Sequence, residues 1–320
     1  MVLQLVRRAQ LNISDYDACV RASSEGTIYG LSWWLDIVSP DWDTVVWKDG
    51  NQYKAVLPIP IRKRYGIRFV HQPLFCQFLA IYSADPLSET NQKAFLNFVL
   101  KQYRFVASFQ LAGEPFLQDG PTLKITKFCT YTLSLERPYA SISAGYNRDR
   151  KMNLKRSGKV AWQRVKGTEI QTLGTIFRAE HENQIVGGAD QSAYELLEEL
   201  FKATEQRHCS ELWYAELDGL RQAGTWLVTW KNRCIYLFNA ATQVGRNGNA
   251  RTYLLDQYFR QMAGQAIVFD FESPAIDDIA GFYASFGGKA EPYYEIRSNR
   301  LPRWINWLWK LRNRLRNLSK

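Results

Sequence analysis

FDFESPAIDDIAGFYASFGGKAEPYYEI, residues 269–296, reads in order as strand, helix, glycine and strand. Ile267–Phe271 reads as a short strand. Ser273-Pro274 supplies a helix N-cap followed by a first helical residue whose missing N–H would be unpaired there in any case. Asp277 and Asp278 fall in the first turn, where the helix dipole favours acids. Ile276, Ile279, Ala280 and Tyr283 share one apolar face. Gly287 is placed to end the helix in a left-handed conformation, and Pro292–Arg297 reads as the last strand.

Upstream of this stretch, residues 248–262 place Ala250, Leu254, Leu255, Tyr258, Phe259 and Met262 at helical spacing, after a loop holding Gly245 and Gly248. Leu212–Glu216 and Gly224–Trp230 read as strands joined around Asp218-Gly219, with Cys234–Asn239 as the next strand. Ser192-x-x-Glu195 reads as a capping box opening a helix through Glu205. The first half repeats the pattern. Thr44–Trp47 and Tyr53–Ile61 flank Asp49-Gly50, Arg68–Gln72 is the following strand, and Gln92–Tyr103 is a helix with Phe95, Phe98 and Val99 on one side. The two Asp-Gly turns lie 169 residues apart. That period is too long for a solenoid and fits a domain duplication.

The 320 residues allow roughly two domains, and 46% apolar with 22% charged residues is the composition of a folded protein. No apolar run reaches the ~18 residues of a membrane-spanning helix, and the apolar part of the N-terminus is short for a secretory signal. The expectation is a cytoplasmic protein. Five scattered cysteines without a C-x-x-C pair, and three histidines, indicate neither a disulfide framework nor a metal site. The net charge of +10 is concentrated: residues 146–159 carry +5, residues 301–320 carry +6, and the remainder sums to −1. Such patches attract phosphate-bearing partners, namely nucleotide, RNA or an anionic membrane. In the tail, Trp304, Leu308, Leu311, Leu315 and Leu318 line one helical face with basic residues around them, which suits a membrane interface or packing on the core.

The 269–296 stretch resembles the "DFEGS…iarFYksFGA…pY" segment of bacterial FemAB-like proteins of the GNAT acyltransferase superfamily. Ala55–Pro60, His71-Gln72-Pro73 and the basic YNRDRKMNLKRSGK resemble the same group, so the resemblance spans roughly 25–300. It implies an α/β (α+β) fold of two tandem GNAT-like domains with mixed sheets flanked by helices. The expected division is 1–140 for the acceptor side, 141–300 for the donor-binding, catalytic side, and 301–320 for a basic amphipathic tail. The implied activity is N-acyl transfer from acyl-CoA or aminoacyl-tRNA, without a metal, to an amine of a cell-envelope-type sugar, peptide or lipid-linked acceptor. A non-catalytic GNAT-fold module binding RNA or anionic membrane is the alternative.

A loop that opens a helix offers unpaired N–H groups and a positive dipole end to phosphate. Gln243, Gly245, Arg246, Asn247, Gly248, Asn249, Ala250 and Arg251 are the candidate donor-binding residues. The family pattern [QR]-x-x-G-x-[GA] is met in its Gly-x-Ala part by Gly248 and Ala250, whereas Arg246 stands two residues before Gly248 instead of three. Acyl transfer needs a base for the amine and an acid for the leaving group. Asp270 and Glu272 share one strand face and either could be the base, Glu272 lying nearer the strand's C-terminal end. Tyr283, four residues before Gly287, matches the family's leaving-group acid. Gln72, Tyr146, Arg150 and Asn153 are the implied substrate-binding positions. On a helix Arg148, Lys151 and Lys155 share a face that could contact tRNA.

Overall fold

The computed structural model describes residues 1–50, 52–181, 191–273 and 277–302. The tail beyond Pro302, and with it the expected amphipathic helix, lies outside the described residues. The chain divides into two units, one of residues 1–127 and 293–320 and the other of residues 128–292.

The first unit begins with β1 (Leu3–Arg7), α1 (Ile13–Ala22), α2 (Ser32–Val38), β2 (Trp42–Asp49), β3 (Gln52–Arg64), β4 (Ile67–Val70), β5 (Tyr82–Ser83), α3 (Glu89–Gln102) and β6 (Phe105–Ala112). β1, β2, β3 and β4 pair antiparallel in that order, and β4 meets β6 in parallel at Val70↔Val106. The crossover between those parallel strands is α3, capped by the Ser88 side chain, with Phe95, Leu96 and Val99 buried. Gly50, at φ 58°, turns the β2–β3 hairpin.

The second unit is built from β7 (Leu123–Ser134), α4 (Tyr139–Ala144), α5 (Arg148–Ser157), β8 (Gln163–Lys166), α6 (Gln171–His181), α7 (Gln191–Gln206), β9 (Ser210–Leu217), β10 (Leu220–Trp230), β11 (Arg233–Ala241), α8 (Gln243–Asn247), α9 (Ala250–Met262), β12 (Val268–Asp270) and α10 (Asp277–Ala284). β13 (Lys289–Asn299) then pairs antiparallel with β6 in the first unit's sheet from Tyr293 onward. The order within the second unit is β7-β12-β11-β10-β9-β8, with only β11 and β12 parallel. Asp218 and Gly219, both left-handed at φ 52° and 76°, make the β9–β10 hairpin the type that matches strand twist. Each unit thus contains a hairpin, a third antiparallel strand, a crossover helix and a parallel strand, the recurrence seen in the spacing of the two Asp-Gly turns.

Three local expectations change. α7 is already helical at Gln191, so Ser192 is inside the helix and does not cap it. Residues 243–247 are not an open loop but the short helix α8, because the Thr242 hydroxyl accepts the Gly245 N–H and closes a turn. The units also part near 127/128 rather than 140/141, since residues 132–134 of β7 pair with β12.

Candidate functional site

β11 and β12 are in register only from Arg233↔Val268 to Ile235↔Asp270. β12 ends there, whereas β11 continues to Ala241 along β10. The parallel pair therefore opens into a wedge. Glu272, at φ 47°, turns the chain out of β12, a conformation that costs a side-chain-bearing residue about 1–2 kcal/mol. The Asp270 carboxylate holds that turn by accepting the Glu272 N–H at 2.9 Å.

A β-bulge decides which side chains reach the wedge. Trp226 pairs with Phe238 and Leu227 with Tyr236, leaving Leu237 without a partner in the ladder. Alternation would send Tyr236 and Asn239 to opposite faces; the extra residue restores both to one face. That face packs α9, since Cys234 accepts from the Tyr258 hydroxyl and Ala241 clusters with Ala250 and Leu254. Phe238 turns the other way, onto Phe177 of α6.

The residues expected for catalysis separate here. Asp270 is fully buried and accepts from Thr130 Oγ1 at 2.7 Å and from Arg233 at 2.8 Å as well as from the Glu272 N–H. Those bonds leave it no capacity to serve as a base, so its part is structural. Glu272 is half-buried at the mouth of the wedge, and its charge acts on Tyr283. Tyr283 is 5% exposed and stacks on Phe271 at 5.0 Å. Burial pushes its hydroxyl up to about 12, opposed by Arg251 and the Asn239 amide. It carries its proton throughout the neutral range, as a proton donor must.

In the phosphate segment most groups are already engaged. Arg246 pairs with Glu180 and donates to the Ala241 carbonyl at 2.8 Å. Exposed Gln243 donates to Asn247 at 2.8 Å. Trp162 donates to the Gly248 carbonyl at 3.0 Å, and its ring lies 2.4 Å from where a Cβ on Gly248 would stand. A Cβ on Gly245 would stand 2.1 Å from the Gln222 carbonyl oxygen. Gly245→Ala should therefore cost roughly 2–3 kcal/mol, measured as the loss of unfolding free energy in urea. Asn249, left-handed at φ 58°, links α8 to α9. The N–H groups of Ala250, Arg251 and Thr252, at the start of α9, have no acceptor among the described residues. The backbone donors left open are thus in the first turn of α9 and not spread over the whole 243–251 segment.

Of the residues expected to bind substrate, Arg150 and Asn153 stand on α5. Asn147 caps it by accepting the Arg150 N–H at 2.8 Å. Arg148, Lys151 and Lys155 are exposed, whereas Arg150 is 4% exposed. Its guanidinium lies 4.1 Å from the Phe282 ring centre and 4.4 Å from that of Phe286. It donates through Nε to Ser285 at 2.9 Å and through Nη1 to Thr252. Tyr146 is buried, donating to Asp256 at 3.1 Å, and so braces α9. Asn153 is half-buried, with no side-chain hydrogen bond to a described residue. Gln72 belongs to the first unit, where its amide donates to the Cys76 carbonyl and accepts from the Gln110 N–H at 2.9 Å, tying the loop after β4 to β6.

Sequence reading missed Tyr236 and Asn239. Arg251 donates to Asn239 Oδ1 at 3.1 Å, and Tyr283 contacts Tyr236 edge-on at 6.1 Å. The bulge that gathers them leaves no composition signal.

No protein-family model and no curated protein matches this chain. Solved structures do. FemX superposes with a TM-score of 0.64 at 11% identity, covering 97% of this chain and 99% of FemX. The C-terminal domain of an Agrobacterium fabrum protein described as a lysylphosphatidylglycerol synthetase gives 0.53 at 13% identity over 90% of this chain and 91% of that domain. L-PGS from Bacillus licheniformis gives 0.51 at 11% identity, covering 93% and 96%. With a parallel pair and a crossover helix in each unit, and with these likenesses over nearly its whole length, the chain has the tandem GNAT-type fold of the FemAB-like proteins.

Proposed function

We propose that this chain is an N-acyltransferase that moves an acyl or aminoacyl group from acyl-CoA or aminoacyl-tRNA to an amine of a cell-envelope-type sugar, peptide or lipid-linked acceptor. The observation that carries this reading is the wedge between β11 and β12, on which half-buried Glu272, buried Tyr283 and the free N–H groups of α9 converge. Likeness in fold to FemX and to lysylphosphatidylglycerol synthetase domains supports it.

In this reading the second unit binds the donor and the first shapes the acceptor side. Glu272 takes the proton of the attacking amine, directly or through one water. The nitrogen adds to the acyl carbonyl, and Tyr283 returns a proton to the leaving thiolate or alkoxide. The exposed basic face of α5 gives a phosphate-rich donor a surface to contact. No helix of the described residues is long and apolar enough to cross a membrane. The tail 301–320 would hold the enzyme against an anionic membrane surface where a lipid-linked acceptor is presented.

The test is thermal unfolding with CoA, a panel of acyl-CoAs and aminoacyl-tRNA. A ligand that binds only the native state raises Tm with its concentration. A rise with an acyl-CoA directs the search to CoA-dependent transfer, and a rise with aminoacyl-tRNA alone makes that the donor. No response to any of them removes the acyl-transfer reading.

A further inference from the structure

The second unit pairs half of its buried or half-buried guanidinium groups with carboxylates. Arg233 has Asp270 and Glu291, and Arg246 has Glu180; even the more exposed Arg260 has Asp256. Arg150, Arg164 and Arg251 have no carboxylate within 4.0 Å among the described residues; Arg164 lies apart, over Trp213, whereas Arg150 and Arg251 stand together. Both lie against the same ring, Phe282, at 4.1 and 5.3 Å. Arg150 spends Nε and Nη1 on two neutral hydroxyls, and Arg251 spends Nη1 on an amide oxygen. The remaining donors of both forks have no acceptor among the described residues, and neither charge is in an ion pair with a described carboxylate.

A third group points the same way. Tyr236 is 2% exposed, and its hydroxyl has no hydrogen-bond partner among the described residues. Burying a hydroxyl without a partner is costly, and native structures seldom retain it without a use. Tyr236 stands on the β11 face that also presents Asn239, the acceptor of Arg251, and the charges of Arg150 and Arg251 both act on its hydroxyl. Burial, with repulsion from Arg251 added, brings the Arg150 guanidinium down to about 10, which still leaves it charged at neutral pH. Two like charges on one aromatic ring, with an unpaired O–H within reach of their field, are what a bound oxyanion would satisfy. A guanidinium fork suits either a planar carboxylate or a phosphate.

We propose that Arg150, Arg251 and Tyr236 form a binding site for one oxyanion, a carboxylate or a phosphate group, on a substrate of this protein. The site does not require acyl transfer, so its test reads binding and not turnover. Calorimetric titration of the full chain with inorganic phosphate and with acetate, at fixed ionic strength, is the measurement. Saturable binding of at least one is expected. Tyr236→Phe should weaken it at least fivefold while leaving unfolding of the free protein unchanged or raised in Tm, because the hydroxyl removed has no partner there. Arg251→Met should weaken it at least tenfold. Tighter binding of phosphate assigns a phosphorylated substrate, and tighter binding of acetate a carboxylate. Loss of that binding when CoA saturates the protein places the oxyanion on the donor; binding alongside CoA places it on the acceptor. Absence of binding by the wild-type chain, or either variant binding as tightly as wild type, overturns the proposal. Failure of CoA to bind while phosphate or acetate still does would count against CoA as the donor and leave this site standing.

Discussion

Asp270→Asn should destabilise the second unit by roughly 3–5 kcal/mol, even though asparagine keeps the size and one oxygen. Asp270 is fully buried and takes bonds from Thr130, Arg233 and the Glu272 N–H. Neutralising it leaves the Arg233 guanidinium beside an amide, with only the more exposed Glu291 as counter-charge. One side of the new amide is also an N–H donor and faces donors already in place. The damage extends beyond the ion pair. Asp270 ends β12, and Thr130, its partner on β7, also accepts the Ser273 N–H. The turn through left-handed Glu272 depends on the same carboxylate. Chemical denaturation should show the midpoint fall, with Thr130→Val a smaller loss of about 1–2 kcal/mol. An Asp270→Asn protein as stable as wild type would show that the carboxylate is not what closes the turn.

That role separates what the sequence could disclose from what it could not. The strand–helix–strand order around residues 269–296 follows from apolar spacing and from Gly287, which is left-handed at φ 80° as its place after the helix suggests. The twofold recurrence was legible because hairpin turns are local, set by Asp-Gly pairs. Asp270 and Glu272 lie two apart and look equivalent on a strand of period two. They differ because β7 supplies Thr130 and β11 supplies Arg233 to one of them, contacts separated by 140 and 37 residues. The bulge at Leu237 was equally hidden. One residue without a ladder partner moves Asn239 to the face of Tyr236, and no local composition marks it. Arg150 illustrates the opposite case. It stands within a run of six basic residues that reads as a solvated surface, yet it is the arginine of that run that turns inward. The clue lies in the helix phase: Arg148, Lys151 and Lys155 share a face, and Arg150 does not.

Glu272→Gln should lower the rate of acyl transfer at least tenfold with unfolding unchanged, the effect expected when a general base is replaced by an isosteric amide. The substitution keeps the backbone N–H that Asp270 accepts and keeps the side-chain volume, so folding has little reason to respond. It removes the charge that acts on Tyr283. That carboxylate raises the Tyr283 pKa, so its loss makes the hydroxyl slightly more acidic and a better proton donor. Any fall in rate then belongs to the base step and not to the acid. Glu272→Gly sharpens the contrast. At φ 47° a glycine sits without the strain a side chain meets, a gain that offsets about 0.5–1 kcal/mol of added backbone entropy in the unfolded chain. Its stability should therefore stay within about 1 kcal/mol of wild type, while transfer is lost as fully as in Glu272→Gln. Full rates in both variants would remove Glu272 from the reaction and leave the amine to be deprotonated in solution. A loss confined to the glycine variant would mean that the geometry of this turn, rather than its carboxylate, is what the wedge requires.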